Sequence, residues 1–281
     1  YKEVLDTDKT AFIKKIYFSR LPKDERRKII FIATTKESYI EDALCGEINE
    51  SIKEDNILGF LECEKKLIIK WFKENKITDN DLRQLSEDLN SYLFTPNPDN
   101  LKKGQEKIIS YFEFYKLSKL QDKVLPEVEN LIKELNETQE SFYEWYYSFD
   151  YVLDISKKLK DQVEKSIWID ALGFEWVGFI QEYLKSKNIP IWGTYICRSN
   201  IPSITSLNKP DFGVDREVGD FDDLIHKNYN YPDSIVEQIR ELKKILDKYI
   251  VPEKKTLIFS DHGSSALVRL CDPCRYDGEF K

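Results

Sequence analysis

The chain has 281 residues, of which 41% are hydrophobic and 13% aromatic, so it can bury a substantial core. Acidic residues outnumber basic ones by 51 to 43, and the net charge of −8 argues against a nucleic-acid surface over the whole chain, while allowing a local basic groove. No apolar run approaches the roughly 20 residues of a membrane helix, so we expect no membrane association. Five cysteines predict reduced thiols in a cytoplasmic protein rather than a disulfide scaffold.

The chain begins at Tyr1 and contains no methionine, which favours a fragment of a longer protein. Residues 1–160 predict a mainly helical N-terminal region, because apolar and charged residues alternate at helical spacing and proline and glycine are sparse. One β-branched run, Lys28 to Thr34, predicts a strand, and Thr95 to Asn100 predicts a loop. Aromatic residues crowd between Ser141 and Tyr151 and are interpreted as a helix packed into a core, with a base-stacking platform as the alternative.

Residues 161–281 show a different pattern, in which apolar strand candidates alternate with amphipathic helices. A helix is predicted from Glu175 to Lys187, and another follows a helix cap at Asp233. This order predicts an α/β fold with a mainly parallel sheet. The predicted strands are Ser166 to Ile169, Ile189 to Cys197 and Thr256 to Phe259.

The chain has only two histidines, and each lies beside a carboxylate. His226 follows Asp222 by one helical turn, which places both side chains on one helix face, as a shared metal ion or a solvated salt link requires. His262 follows Asp261 directly at the end of a predicted strand. Asp170 ends another predicted strand before an Ala-Leu-Gly turn, where it is either a metal ligand or a helix cap. Together these motifs predict a metal site.

A loop between Asn200 and Lys209 contains three hydroxyl residues, Ser203, Thr205 and Ser206. A hydroxyl beside a metal ion loses its proton more easily and becomes a nucleophile. Mixed aspartate and histidine ligands favour zinc or manganese over calcium.

The order strand-Asp, Pro-Ser-x-Thr, Asp-x-x-x-His and Ser-Asp-His-Gly resembles the alkaline phosphatase superfamily. Four segments are similar to the PglZ-type members of this superfamily: IWIDALGFEW, IPSITSLNK, DDLIHK and FSDHGSS. PglZ-type proteins belong to BREX and Pgl phage-defence systems. The resemblance covers roughly residues 160 to 265. It implies an alkaline-phosphatase-like core, incomplete at its C-terminus, after the helical N-terminal region.

Carried over by position, the resemblance implies one divalent ion at Asp170, Thr205, Asp261 and His262, and a second at Asp222 and His226. Thr205 would be the nucleophile. The superfamily supplies a further histidine to the second ion, and none follows His262 here, so this ligand is expected beyond the fragment or from another group. Asn208 and Lys209 follow the nucleophile as candidate phosphate contacts, with a surface role as the alternative for Lys209.

The resemblance implies a phosphatase or phosphodiesterase, of which a nuclease is one form. Its substrate would be DNA or a nucleotide, and its partners would be other phage-defence proteins. The alternative is a catalytically weak scaffold that binds those proteins. A third hypothesis is sulfate ester or phosphonate hydrolysis. Cys271 and Cys274 have zinc-knuckle spacing, but no second pair accompanies them, and they are interpreted as free thiols.

Overall fold

A computed structural model describes residues 2–138, 142–201, 205–226 and 230–263 of the chain, which forms two compact units, residues 1–90 and 91–281. The first unit is helical, as predicted. Its helices are α1 (Lys2–Tyr17), α2 (Lys23–Lys36), α3 (Ser38–Cys45), α4 (Glu62–Lys73) and α5 (Asp79–Leu85), and α6 (Glu87–Leu93) spans the boundary.

The predicted strand from Lys28 to Thr34 is wrong, because these residues lie inside α2. Pro22 precedes the helix, Asp24 lies in its first turn and Lys36 in its last turn, so the flanking charges complement the helix dipole. The helical preference of the flanking residues therefore outweighs the β-branched run.

Cys45 and Cys63 form a disulfide within the first unit, at the end of α3 and the start of α4. The expectation of reduced thiols is not met at this pair, because the fold brings together two cysteines that are 18 residues apart in sequence. Cys197 is a free cysteine.

The second unit combines helices with a small parallel sheet. Before the sheet come α7 (Lys107–Gln121), α8 (Pro126–Thr138), α9 (Phe142–Tyr147) and α10 (Val152–Lys160). The sheet consists of β1 (Lys165–Ile169), β2 (Arg216–Val218) and β3 (Thr256–Phe259). The later helices of this unit are α11 (Val177–Ser186), α12 (Thr205–Asn208), α13 (Asp220–His226) and α14 (Asp233–Tyr249). Every strand in the described ranges lies after residue 160, and the domain boundary predicted there stays a prediction.

The sheet has the strand order β2-β1-β3, and both pairings are parallel, as the alternation of strands and helices predicted. Ile167 of the buried central strand lies opposite Arg216 on one side and Ile258 on the other. The strands β1 and β3 match their predicted bounds closely. The three-residue strand β2 was not predicted, because its sequence Arg-Glu-Val carries no strand signature of its own.

The predicted strand from Ile189 to Cys197 is wrong, because its backbone groups bond to a loop instead of a sheet. Asp99 accepts a hydrogen bond from the Thr194 amide through its Oδ2 atom (2.7 Å), and its own amide donates to the Thr194 carbonyl. The Asn100 side chain accepts a hydrogen bond from the Ile196 amide through Oδ1 and donates one to the Ile196 carbonyl through Nδ2. The predicted loop from Thr95 to Asn100 is thus the partner of this segment.

The aromatic run packs partly into the core, as its first interpretation predicted. Trp145 and Phe149 are buried in a cluster with Ile108, Leu135 and Ile196. Tyr143 is 58% exposed on α9, so the run also has a solvent face. None of the described helices is long and apolar enough to cross a membrane.

Candidate metal centre

Each strand of the sheet is followed by a segment that carries predicted ligands. Asp170 follows β1, Asp222 and His226 lie on α13 just after β2, and Asp261 and His262 follow β3. Because the carboxyl ends of parallel strands lie at one edge of a sheet, these three segments meet there. The parallel topology therefore accounts for the convergence of residues that are far apart in sequence.

Asp170 stands at the end of β1, where its amide donates to the carbonyl of Val218 in β2 (3.0 Å). The chain then turns sharply through Ala171 and Gly173, which both have positive φ angles, 57° and 62°. Gly173 is the N-cap of the following 3-10 helix, Phe174–Trp176. Asp170 is thus free of the helix-capping role that was its alternative, and its carboxylate is available to the site.

The turn after β3 is joined to the turn after β1 by one hydroxyl. Ser260 Oγ accepts a hydrogen bond from the Leu172 amide (3.0 Å) and donates one to the His262 carbonyl (2.8 Å). A Cβ atom on Gly173 would lie 2.7 Å from the Gly263 Cα atom, so the two turns touch through two glycines. This close approach sets Asp170 beside His262.

Thr205, Asp170, Asp261 and His262 form the first cluster of the site. The Thr205 hydroxyl lies 3.2 Å from Asp170 Oδ1 and 3.0 Å from His262 Nε2. His262 Nε2 lies 3.1 Å from Asp170 Oδ1 and 3.7 Å from Asp261 Oδ2. Ligand atoms of Asp170, Asp261 and His262 all lie within 4.8 Å of one another, a spacing that one metal ion can bridge.

Asp261 has the environment of a metal ligand. Its side chain is buried, Oδ1 accepts a hydrogen bond from Trp168 Nε1 (3.2 Å), and Oδ2 has no hydrogen-bond partner among the described residues. Burial raises the pKa of Asp261 to about 6; the His262 imidazole opposes this shift, and the Asp170 carboxylate adds to it. A buried oxygen without a donor beside a second carboxylate is a favourable place for a cation.

Asp222 and His226 form a second cluster with His262. Asp222 Oδ1 lies 3.4 Å from His226 Nε2 across one turn of α13, the helical spacing predicted for this pair. Ligand atoms of all three residues lie within 4.8 Å of one another, and the ring centroids of His226 and His262 are 5.6 Å apart. His262 therefore belongs to both clusters, which adjoin at its imidazole.

The side chains of Asn208 and Lys209, the two candidate phosphate contacts, both interact with other groups of the chain. Asn208 is buried, and its side chain accepts from the Asn200 amide (2.6 Å) and donates to the Asn200 carbonyl (3.3 Å), which closes the loop before α12. Lys209 Nζ pairs with Glu217 (2.9 Å) and lies over the Trp168 ring. The structure therefore gives Asn208 a role in holding the loop and gives Lys209 a surface ion pair.

Four further residues singled out from the sequence lie outside the described ranges or on the surface. Ser203, Cys271 and Cys274 lie outside the described residues. Ser206 is exposed on α12, directly after Thr205.

Four residues that shape the site were not among the predicted site residues: Trp168, Gly173, Ser260 and Gly263. The Ser-Asp-His-Gly motif contains two of them, and the glycine of Ala-Leu-Gly is a third. The spacing of Trp168 gave no signal, because its contact with Asp261 depends on the pairing of β1 with β3.

A cavity of about 960 Å³ in the second unit reaches Asp261 and His262 from the side of α7 and α9. Its lining is largely apolar and aromatic, and its volume is that of a site for an organic ligand. Aromatic residues of this lining include Tyr111, Phe112, Trp145, Tyr146, Phe149 and Phe174.

Comparisons with protein-family models, curated proteins and solved structures give no significant match to this chain. A threonine hydroxyl beside carboxylates and imidazoles of two adjoining clusters can provide a nucleophile and the ligands of one or two divalent ions.

Proposed function

We propose that the chain is a metal-dependent phosphohydrolase, a phosphatase or phosphodiesterase with Thr205 as its nucleophile. The observation that carries the proposal is the position of the Thr205 hydroxyl, within 3.2 Å of both Asp170 Oδ1 and His262 Nε2. A hydroxyl that served only to cap a helix would not need a carboxylate and an imidazole at this distance.

The donor set fits a divalent metal ion. Asp170, Asp261 and His262 would hold the first ion, with the Thr205 oxygen as a further ligand, and Asp222 and His226 would contribute to a second. Mixed oxygen and nitrogen donors favour zinc or manganese over calcium. When bound, such an ion lowers the pKa of a coordinated hydroxyl and stabilises negative charge on phosphate oxygens.

The reaction that this arrangement supports has two displacements. Thr205 Oγ1 gives its proton to water and forms a bond to phosphorus while the bond from phosphorus to the ester oxygen breaks. The leaving oxygen takes up a proton from water and departs as the alcohol. Water then attacks phosphorus, the bond from phosphorus to Thr205 Oγ1 breaks, and Oγ1 takes up a proton again. The product is phosphate when the substrate is a monoester and a phosphate monoester when it is a diester. The cavity beside Asp261 and His262 offers room for the organic group of the ester.

The resemblance to PglZ-type proteins supports a place for this activity in bacterial phage defence. An alkaline-phosphatase-like core, a DNA or nucleotide substrate and defence-protein partners are parts of this proposal that rest on the motifs. The described part of the chain contains a three-stranded sheet with the ligands at its carboxyl edge.

A scaffold without strong catalysis is the second candidate, and one observation favours it. Among the described residues, the second cluster has Asp222 and His226 as its own ligands and shares His262 with the first. A structural ion needs about four ligands, so the second ion would be bound weakly by the described residues alone.

Hydrolysis of chromogenic phosphate esters separates the two candidates. Purified protein would be stripped with a chelator, reloaded with zinc or manganese, and assayed on para-nitrophenyl phosphate and bis(para-nitrophenyl) phosphate. The phosphohydrolase proposal predicts turnover that disappears with the chelator and returns with the metal. Metal uptake without hydrolysis of either ester would favour the scaffold.

A further inference from the structure

A buried polar cluster in the second unit joins two of the helices to the 3-10 helix that follows the Asp170 turn. Lys119 of α7 is fully buried, and its Nζ atom donates to Glu175 Oε1 (2.7 Å) and to Gln238 Oε1 (2.9 Å). The Lys119 ammonium also lies 5.2 Å from the centre of the Trp176 ring. Three elements thus meet at one ammonium group: α7, the 3-10 helix after the Asp170 turn, and α14.

Stability alone does not account for this cluster. Removing both charges of an ion pair from water costs about as much as their attraction returns, and apolar residues of the same size often serve as well. The second carboxylate oxygen of Glu175, Oε2, is buried without a hydrogen-bond partner among the described residues, which adds a further cost. The cluster is therefore a candidate for fixing the positions of the elements that it joins.

Gln238 extends the cluster to the helix that carries the second pair of ligands. Its Nε2 atom donates to the carbonyl oxygen of Leu224 in α13 (3.2 Å). The last four carbonyl groups of a helix lack partners within it, and Leu224 lies between Asp222 and His226 near the end of this short helix. The amide of Gln238 thus satisfies a helix carbonyl within two residues of both ligands.

We propose that Gln238, held by Lys119 and Glu175, is a positioning residue that fixes α13 and so sets Asp222 and His226 against His262. The same buried cluster reaches the Asp170 turn through Glu175, so it joins the ligand segments that follow β1 and β2. Its relevance to metal binding rests on the proposed function, whereas its effect on α13 is independent of any metal ion.

Two substitutions of Gln238 distinguish positioning from general stability. Gln238→Met keeps the side-chain length and removes both the acceptor for Lys119 and the donor to Leu224. Gln238→Glu keeps an acceptor for Lys119, replaces the donor to Leu224 with a carboxylate oxygen and adds a negative charge. Ser234→Ala is the matched control, because Ser234 is also buried on α14 and its hydroxyl accepts a hydrogen bond from the Asn230 amide.

Hydrogen–deuterium exchange of the metal-free protein provides the first readout. Both Gln238 variants should exchange the α13 amides at least about tenfold faster than the parent, while β1 and β3 stay protected, because one helix loses its anchor. The Ser234→Ala variant should leave α13 as in the parent. Parent-like protection of α13 in Gln238→Glu would overturn the proposal even if Gln238→Met failed to fold.

Manganese titration followed by electron paramagnetic resonance provides the second readout. The parent should bind two ions, and Gln238→Glu should bind the second ion about 10- to 100-fold more weakly, the usual effect of removing an outer-shell partner, with the first ion unaffected. Parent-like affinity for both ions would overturn the proposal. If the parent binds no manganese, the proposed function fails, and the exchange result alone decides the positioning role of Gln238.

Discussion

The hydroxyl of Thr205 lies 3.0 Å from Nε2 of His262, although the two residues are 57 positions apart in sequence. The contact joins the first residue of α12 to the turn after β3, and the same imidazole atom lies 3.1 Å from Asp170. This arrangement places the hydroxyl proposed as the nucleophile beside two of the proposed metal ligands.

The first prediction concerns the nucleophile. Thr205→Ala should lower metal-dependent hydrolysis of para-nitrophenyl phosphate by orders of magnitude with little change in the free energy of unfolding, since a partly exposed threonine contributes little to packing. Thr205→Ser should keep part of the rate because it keeps the hydroxyl. Ser206→Ala is the control, and full activity of Thr205→Ala together with loss in Ser206→Ala would mean that the wrong hydroxyl was assigned.

The second prediction concerns the contact between the two turns. Gly173→Ala should destabilise the protein by about 1–3 kcal/mol and weaken metal binding, because alanine is strained at the φ of 62° and its Cβ would lie 2.7 Å from Gly263. Thermal unfolding and metal titration would measure both effects. Gly219→Ala is the control, since its added Cβ meets no atom of the described residues within 4 Å apart from its chain neighbours. Equal unfolding temperatures for the two variants would contradict the account.

The third prediction concerns the support of Asp261. Trp168→Phe should weaken metal binding about tenfold, because it removes the indole N–H that orients the buried carboxylate. Trp145→Phe is the control, since Trp145 Nε1 donates instead to the Gly104 carbonyl. Metal affinity reduced equally in both variants would show that loss of aromatic packing, and not the hydrogen bond to Asp261, causes the effect.

The fourth prediction concerns the disulfide in the first unit. Cys45→Ser with Cys63→Ser should lower the free energy of unfolding by about 3 kcal/mol, the value expected for a loop of this length. Denaturant unfolding with and without a reducing agent would measure it. Cys197→Ser provides the control for a free thiol, and a parent protein insensitive to reduction would argue against the pairing.

The sequence predicts the parts of the fold whose signals are local. The strands β1 and β3 are apolar runs that end at polar turns, and α14 shows helical spacing from Ile235 to Leu246. The strand predicted from Lys28 to Thr34 is wrong because the flanking residues favour a helix. The strand predicted from Ile189 to Cys197 is wrong because its backbone forms hydrogen bonds with the loop residues Asp99 and Asn100.

The candidate site also has features that follow from local sequence and contacts that require the tertiary fold. Asp222 and His226 share a helix face by spacing alone, whereas the contact of Thr205 with His262 requires the tertiary fold. The Cys45–Cys63 pair and the donation from Trp168 to Asp261 also depend on neighbours that are distant in sequence. Sequence patterns therefore predict candidate ligands, and the parallel sheet determines which of them meet.

Asp170, Asp261 and His262 are proposed to hold a divalent metal ion, and the metal content of purified protein measures whether they do. Parent protein, Asp261→Asn and the exposed control Asp247→Asn would be equilibrated with zinc or manganese, desalted, and measured by inductively coupled plasma mass spectrometry. The account predicts at least one ion per chain in the parent and in Asp247→Asn, and a loss of about one ion in Asp261→Asn, because a neutral amide is a much poorer ligand than a carboxylate. Equal metal content in all three proteins, or no metal in the parent after loading, would contradict it.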